Sequence, residues 1–208
     1  MGIDIDTILS LCIPDLHVLA EDGSVFGVRG QSLACKRNRR HLEPVRGAGI
    51  SMIIDLRTGD YRNDLLFACE RLGMEYRHIP IDKKHTPGTE IIKRLPLLIS
   101  SISHGNFYIS CTQGLHRTDT ALALYYLFSP DAIDPPLMYG HVISGVFRSG
   151  EIYGRAGSVY HCLTEGDKKV LGLDDAFPER FAERKRLLTA AQSALMGSTG
   201  CPAASRQV

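Results

Sequence analysis

Apolar positions recur along the chain in two rhythms, and the rhythms alternate. Ser24–Arg29 reads as a short strand, and Ile50–Leu56 is a continuous apolar run opened by Gly49, the pattern of a strand buried on both faces. From Arg62 to Leu72 the apolar residues Leu65, Leu66, Ala68, Cys69 and Leu72 fall at helical spacing, with Gly73 placed as a stop. Glu75–Ile81 reads as a strand. Thr89–Ser103 carries Ile91, Ile92, Leu95, Leu98, Ile99 and Ile102 on one helical stripe, which Pro96 should bend or begin. Asn106–Ser110 is the next strand, and Thr118–Phe128 a helix that ends before Ser129-Pro130. Beyond Pro135-Pro136 the pattern weakens to one helix ending at Phe147, and residues 149–173 carry no assignable period. Pro178 behind Asp174 and Asp175 opens a terminal helix over 178–196. Strand and helix in alternation predict an α/β fold: a single domain over residues 1–196, a central mostly parallel sheet flanked by helices, and a disordered tail over 197–208.

Composition narrows the function more than the fold. The 208 residues are 44% hydrophobic and 23% charged, which sets aside extended disorder, collagen and coiled-coil architectures. Twenty-four Lys and Arg against 23 Asp and Glu give a net charge of +1, no global field for a nucleic acid or a membrane, so anion recognition must be local. No apolar run approaches the about 18 residues of a membrane span, and the opening Met-Gly-Ile-Asp-Ile-Asp lacks the basic start of a secretory signal, so a cytoplasmic protein is expected. Six cysteines form no C-x-x-C pair and eight histidines no H-E-x-x-H, which disfavours zinc and disulfide frameworks. Nothing here sets the oligomeric state.

One segment carries chemistry. Cys111-Thr-Gln-Gly-Leu-His-Arg117-Thr118 lies between the strand ending at Ser110 and the following helix. A bare C-x5-R would arise by chance roughly 0.5 times in a chain of this composition; Gly at +3 and a hydroxyl residue at +7 lower the expectation to roughly 0.006. A loop turning from a strand into a helix N-terminus aims backbone N–H groups at one point, where the helix dipole adds partial positive charge. Such a loop suits a phosphate dianion. Gly114 permits a backbone approach that a side chain would obstruct. Arg117 can fork onto two phosphoryl oxygens, and the same positive environment favours the thiolate of Cys111, a nucleophile. Thr118 can donate its hydroxyl to the sulfur when a phosphocysteine intermediate is hydrolysed. Thr112, Gln113, Gly114, Leu115 and His116 would line the substrate phosphate, and neither a metal nor another cofactor enters this chemistry. An acid must protonate the leaving oxygen. Asp82, at a strand end 29 residues before Cys111, is the preferred candidate and His85 the alternative.

These residues resemble the cysteine-dependent protein tyrosine and dual-specificity phosphatases. Gly49-Ile-Ser-Met-Ile-Ile-Asp-Leu-Arg57, Tyr76-Arg-His-Ile-Pro-Ile-Asp82 and Cys111–Thr118 are similar to three of that family's landmarks, in order, and Val25-Phe-Gly-Val-Arg-Gly30 to a fourth, weaker one. The resemblance covers residues 24–128. It implies Cys111 as nucleophile, Arg117 as phosphate binder and Asp82 as general acid. Ser110 stands where the family usually has His, and Asp119 where a small residue is common after Arg-Thr. Leu115 and His116 replace the lysines of phosphoinositide-directed relatives, so a phosphorylated protein is the first substrate class and a phosphoinositide or inositol phosphate the second.

Rival readings remain from the residues alone. A phosphate-binding module with little turnover, or a rhodanese-like sulfurtransferase, would also place a cysteine and an arginine in a loop. Cys69 reads as core, with a disulfide to Cys111 as the sharper alternative. The basic stretch Lys36–His41, flanked by Arg29 and Arg46, reads first as a solvated face and second as an electrostatic guide for an acidic substrate. Arg57 and Arg77 read as structural ion-pair partners.

Overall fold

The computed structural model describes residues 2–21, 24–59, 62–81, 89–132 and 159–198. Five strands form one sheet in the order β1-β2-β5-β3-β4: β1 His17–Glu21, β2 Ser24–Arg29, β3 Met52–Asp55, β4 Glu75–His78 and β5 Phe107–Ser110. Only β1 runs antiparallel, to β2; the pairs β2–β5, β3–β5 and β3–β4 are parallel. The helices described are α1 Ile5–Ser10, α2 Lys36–Arg39, α3 Leu42–Gly47, α4 Arg62–Arg71, α5 Thr89–Ser103, α6 His116–Phe128, α7 Glu165–Val170 and α8 Phe177–Ser198. The mostly parallel, helix-flanked α/β sheet matches the architecture predicted from sequence. None of the described helices is long and apolar enough to cross a membrane.

Strand alternation sorts the core into two halves. Met52, Ile54, Phe107 and Ile109 face one side, with Leu95, Leu98 and Ile102 of α5, the buried length of α6, and Phe177, Phe181 and Leu188 of α8. Val28, Ile53 and Tyr108 face the other, with Ile8 of α1, Leu42 and Val45 of α3, and Leu65 and Cys69 of α4. Helices therefore cover both faces, which is why β3 and β5 are buried at every position and read as unbroken apolar runs. The residues of α6 from Thr118 to Phe128 are all buried, so this helix is enclosed on every side rather than striped. Phe128, Tyr160, Phe177 and Phe181 stack together where α6 meets α8.

Several expectations are refined. The strand predicted over Ile50–Leu56 narrows to Met52–Asp55, and the one over Glu75–Ile81 to Glu75–His78. Past His78 the chain stays extended along β3, with Ile79 N–H donating to Asp55 and Ile81 N–H to Leu56. Helix α5 has the predicted bounds and passes through Pro96 instead of starting there. Helix α6 begins two residues earlier than predicted, because Asp119 N–H already bonds the Leu115 carbonyl at 2.7 Å. Helix α8 runs through Ser198, so the first two residues assigned to a tail are helical; the rest of the tail, the helix predicted to Phe147 and Asp82 with His85 lie outside the described residues. Gly73, at φ +64°, ends the turn after α4 as its position suggested. The basic stretch contains the short helix α2.

Tyr108, fully buried, ties β5 to the turn after β2 through a 2.7 Å bond from its hydroxyl to the Gln31 carbonyl. Burial raises its phenol pKa. Tyr108→Phe leaves that carbonyl without this donor, and chemical denaturation should show a loss of about 1–3 kcal/mol.

Candidate active site

The parallel strands β2, β3, β4 and β5 end along one edge of the sheet, where open α/β sheets place their sites. At that edge the chain leaves β5 at Ser110, makes the loop 111–115 and enters α6 at His116. The ladder continues past the strand ends: Gly30 N–H bonds Ile109, Leu56 N–H bonds Ser110, and Ser32 N–H reaches the Thr112 carbonyl at 3.3 Å. Cys111, 4% exposed, is thus held between the neighbouring strands on the α5 and α6 face of the sheet.

Gly114 sits at φ +74°, a conformation L side chains resist, and a Cβ there would be driven into the Gly30 carbonyl. The loop needs glycine at this point for both reasons. Leu115 follows in the N-cap position and offers no side-chain oxygen, so the first amides of α6 are not capped from there and can serve an anion. Arg117, half-buried at the mouth, donates to the Thr112 hydroxyl at 2.8 Å. Thr112 and Gln113 are exposed, while Gly114 and Leu115 are buried and His116 is half-buried.

Burial pushes the Cys111 thiol pKa up, but the Thr118 hydroxyl, the Arg117 cation and the Thr118 and Gln113 amides act on the sulfur in the other direction. The balance lies below the ordinary cysteine value. The thiolate is favoured although Ser110 replaces the family's usual histidine. Thr118 is wholly buried, and its hydroxyl lacks a standard hydrogen bond to any described residue; the sulfur is the group it serves. Cys69 shows the opposite case. It lies in the core on the other face of the sheet, where burial first and then Asp55 and Glu70 push its thiol up to about 12. The sheet separates it from Cys111, so no disulfide partner role is supported.

Arg29 is the residue to which sequence reasoning gave no role in the site, counting it within the weaker Val25–Gly30 landmark and as a flank of the basic stretch. It is fully buried at the end of β2, 2.5 Å from Asp119 in an ion pair whose side chains are both fully buried. Its other terminal nitrogen donates to the Gly114 carbonyl at 2.7 Å and the Leu115 carbonyl at 3.4 Å. The negative charge of Asp119 beside the loop is therefore matched by a cation. A signal existed: a carboxylate in the first turn of an apolar helix calls for a buried cation.

The neighbouring strand ends are also fixed by charge. Asp55 accepts from Arg57 Nε at 2.9 Å and Nη2 at 2.7 Å and from the Tyr76 hydroxyl at 2.9 Å, and Arg77 pairs with Glu75; both arginines are structural partners, as expected. Within the basic stretch, Arg39 pairs with Asp64 at 3.0 Å, while Asn38 is buried and donates to Gln31 and Ser32. Among the described residues no group of His, Cys, Asp and Glu is arranged to hold a metal ion.

Fold and site together define a phosphatase of the cysteine-dependent tyrosine and dual-specificity class. Residues 27–130, half of the chain, match the model of the Tc-R-P family, described as "Polymorphic toxin system, DSP-PTPase phosphatase", and the chain belongs to that family. No curated protein matches it in sequence. Among solved structures it resembles a putative phosphatase (DUF442) from Shewanella putrefaciens, with a TM-score of 0.56 at 17% identity over 76% of this chain and 97% of that one. At that identity the likeness is one of fold. The catalytic core of the PP-IP phosphatase Siw14 from S. cerevisiae gives a TM-score of 0.43 at 15% identity, covering 86% and 93% of the two chains. TpbA from P. aeruginosa gives 0.44 at 14%, covering 71% and 86%.

The lowered thiol has a direct readout. Alkylation by iodoacetamide, mapped by peptide mass, should modify Cys111 at a pH below the range in which an ordinary thiol reacts, and leave Cys69 untouched in the folded protein. Thr118→Val removes a donor to the thiolate, so its curve of rate against pH should move to higher pH. A Cys111 that alkylates no faster than the exposed Cys12 or Cys35 at that pH would contradict the geometry.

Proposed function

We propose that the chain hydrolyses phosphomonoesters through a phosphocysteine at Cys111, and that residues 1–196 act as one catalytic domain. The observation that carries this is the buried, acid-shifted thiol of Cys111 at the mouth of an uncapped helix, with Arg117 beside it. Cys111 attacks phosphorus in line as the ester oxygen departs. Arg117 and the amides of residues 112–118 take the charge of the three non-bridging oxygens. Asp82 protonates the departing oxygen and then takes a proton from the water that displaces the cysteine, while the Thr118 hydroxyl eases departure of the sulfur. Catalysis of this kind is mostly positioning and electrostatics.

Phosphotyrosine proteins, with or without phosphoserine and phosphothreonine, are the substrates this site favours. Leu115 is buried and the exposed loop positions are Thr112 and Gln113, so within Cys111–Thr118 Arg117 is the one Lys or Arg side chain, fewer than a polyphosphorylated headgroup calls for. The family's description as part of a polymorphic toxin system supports a role as an effector enzyme, and the cytoplasm is the compartment we propose for it.

Hydrolysis of a small aryl phosphate without added metal, with vanadate as inhibitor, tests the assignment. Cys111→Ser should abolish turnover and retain binding; Asp82→Asn should slow kcat by about 100- to 10,000-fold, and least for the aryl ester with the best leaving group. A wild type that is inert across pH 5–8 under reducing conditions, or a Cys111→Ser protein that still turns over, would overturn it.

A further inference from the structure

We propose that Arg29 and Asp119 are a positioning pair for the phosphate loop, Arg29 holding the Gly114 and Leu115 carbonyls turned away from the anion and Asp119 holding Arg29. The inference rests on reading Cys111–Thr118 as the phosphate loop.

Three observations carry it. The first is burial: both side chains are fully enclosed, so the 2.5 Å contact is not a solvent-screened surface pair. A buried ion pair is a poor device for stability, since apolar residues of similar volume would do as well, and its presence calls for another reason. The second is placement. Arg29 ends β2, Gly114 and Leu115 form the turn of the loop, and Asp119 lies in the first turn of α6. One planar fork therefore joins the strand, the loop and the helix, a task that a lysine's point charge cannot perform.

The third is the direction of the peptide groups. The amides of Gln113 and Thr118 act on the sulfur, so the carbonyls on the reverse of the loop need donors elsewhere. Ser32 N–H serves Thr112, Arg29 serves Gly114, and Leu115 takes the Asp119 amide at 2.7 Å with a longer contact from Arg29 at 3.4 Å. Turning the Gly114 peptide would take its carbonyl toward the anion. Asp119 also sets the charge balance: alone, it would place a buried negative charge close to a bound dianion, and Arg29 cancels it.

The test compares the 208-residue wild type with Arg29→Lys, Arg29→Met, Asp119→Leu and the Arg29→Met/Asp119→Leu double variant. Melting temperature, kcat and KM on an aryl phosphate, and the inhibition constant of vanadate are measured for each. The single apolar substitutions leave one buried charge unpaired and should melt lower; the double variant leaves none and should recover much of that loss. Activity should not recover with it. The folded double variant should keep a kcat/KM about 100-fold below wild type, the scale of a misplaced reacting group, with vanadate weakened in step. Arg29→Lys keeps the charges paired without the fork, and should melt near wild type with reduced kcat/KM. A folded double variant with wild-type kcat/KM and vanadate affinity would show a purely structural pair and overturn the proposal. A wild type that neither turns over nor binds vanadate would instead overturn the reading of the loop itself.

Discussion

A backbone that turns its amides toward one point must turn carbonyls away from it, and those carbonyls need donors in a place water does not reach. The rest of the site follows from how this chain meets that constraint. Ser32 supplies an amide to Thr112, Asp119 supplies one to Leu115, the Thr120 hydroxyl reaches His116, and Arg29 supplies its fork to Gly114 and Leu115. The donors come from the end of β2 with the turn after it and from α6, the elements between which the loop must be held. Tyr108 and Asn38 hold that turn in place through Gln31 and Ser32. The loop is thus built as much from its reverse side as from its face.

The two buried cysteines show how far position governs chemistry. Both are free and enclosed, and both belong to apolar clusters. Cys69 has carboxylates nearby and no compensating donor, so burial acts unopposed and the thiol stays protonated. Cys111 suffers the same desolvation, but it stands at a helix N-terminus beside a cation, with a hydroxyl and two amides acting on the sulfur. Opposite shifts in one fold argue that the loop, rather than any property of cysteine, makes the nucleophile.

Most of the architecture was legible because its signals are local. The stripe of α5 repeats for fifteen residues, and α5 and β2 were read with their observed bounds, while β3, buried on both faces, showed as an apolar run that reaches past the paired strand at both ends. Helix α1 and strand β1 went unread because each is short: α1 rests on the Asp4 cap, and β1 owes its form to antiparallel pairing with β2. Helix α7 likewise stands on the capping box of Thr164 and Asp167, in a stretch without hydrophobic period. Within the site, Cys111, Gly114 and Arg117 announce themselves by spacing, whereas the pairing of Arg29 with Asp119 joins positions ninety residues apart and leaves no periodic trace.

Seen from sequence, Ser110 and Asp119 look like two losses, one of a supporting histidine and one of a small, neutral residue. The structure shows why neither need weaken the site. Support for the thiolate comes from after the cysteine, from Gln113, Arg117 and Thr118, so the residue before it is not the sole source. The charge of Asp119 is answered from β2 at 2.5 Å, by a side chain that also fastens the loop. A carboxylate that would repel the substrate if it stood alone becomes, with Arg29, a neutral unit. What matters at such a position is therefore the pair and not the residue, and neither can be judged from its own place in the sequence.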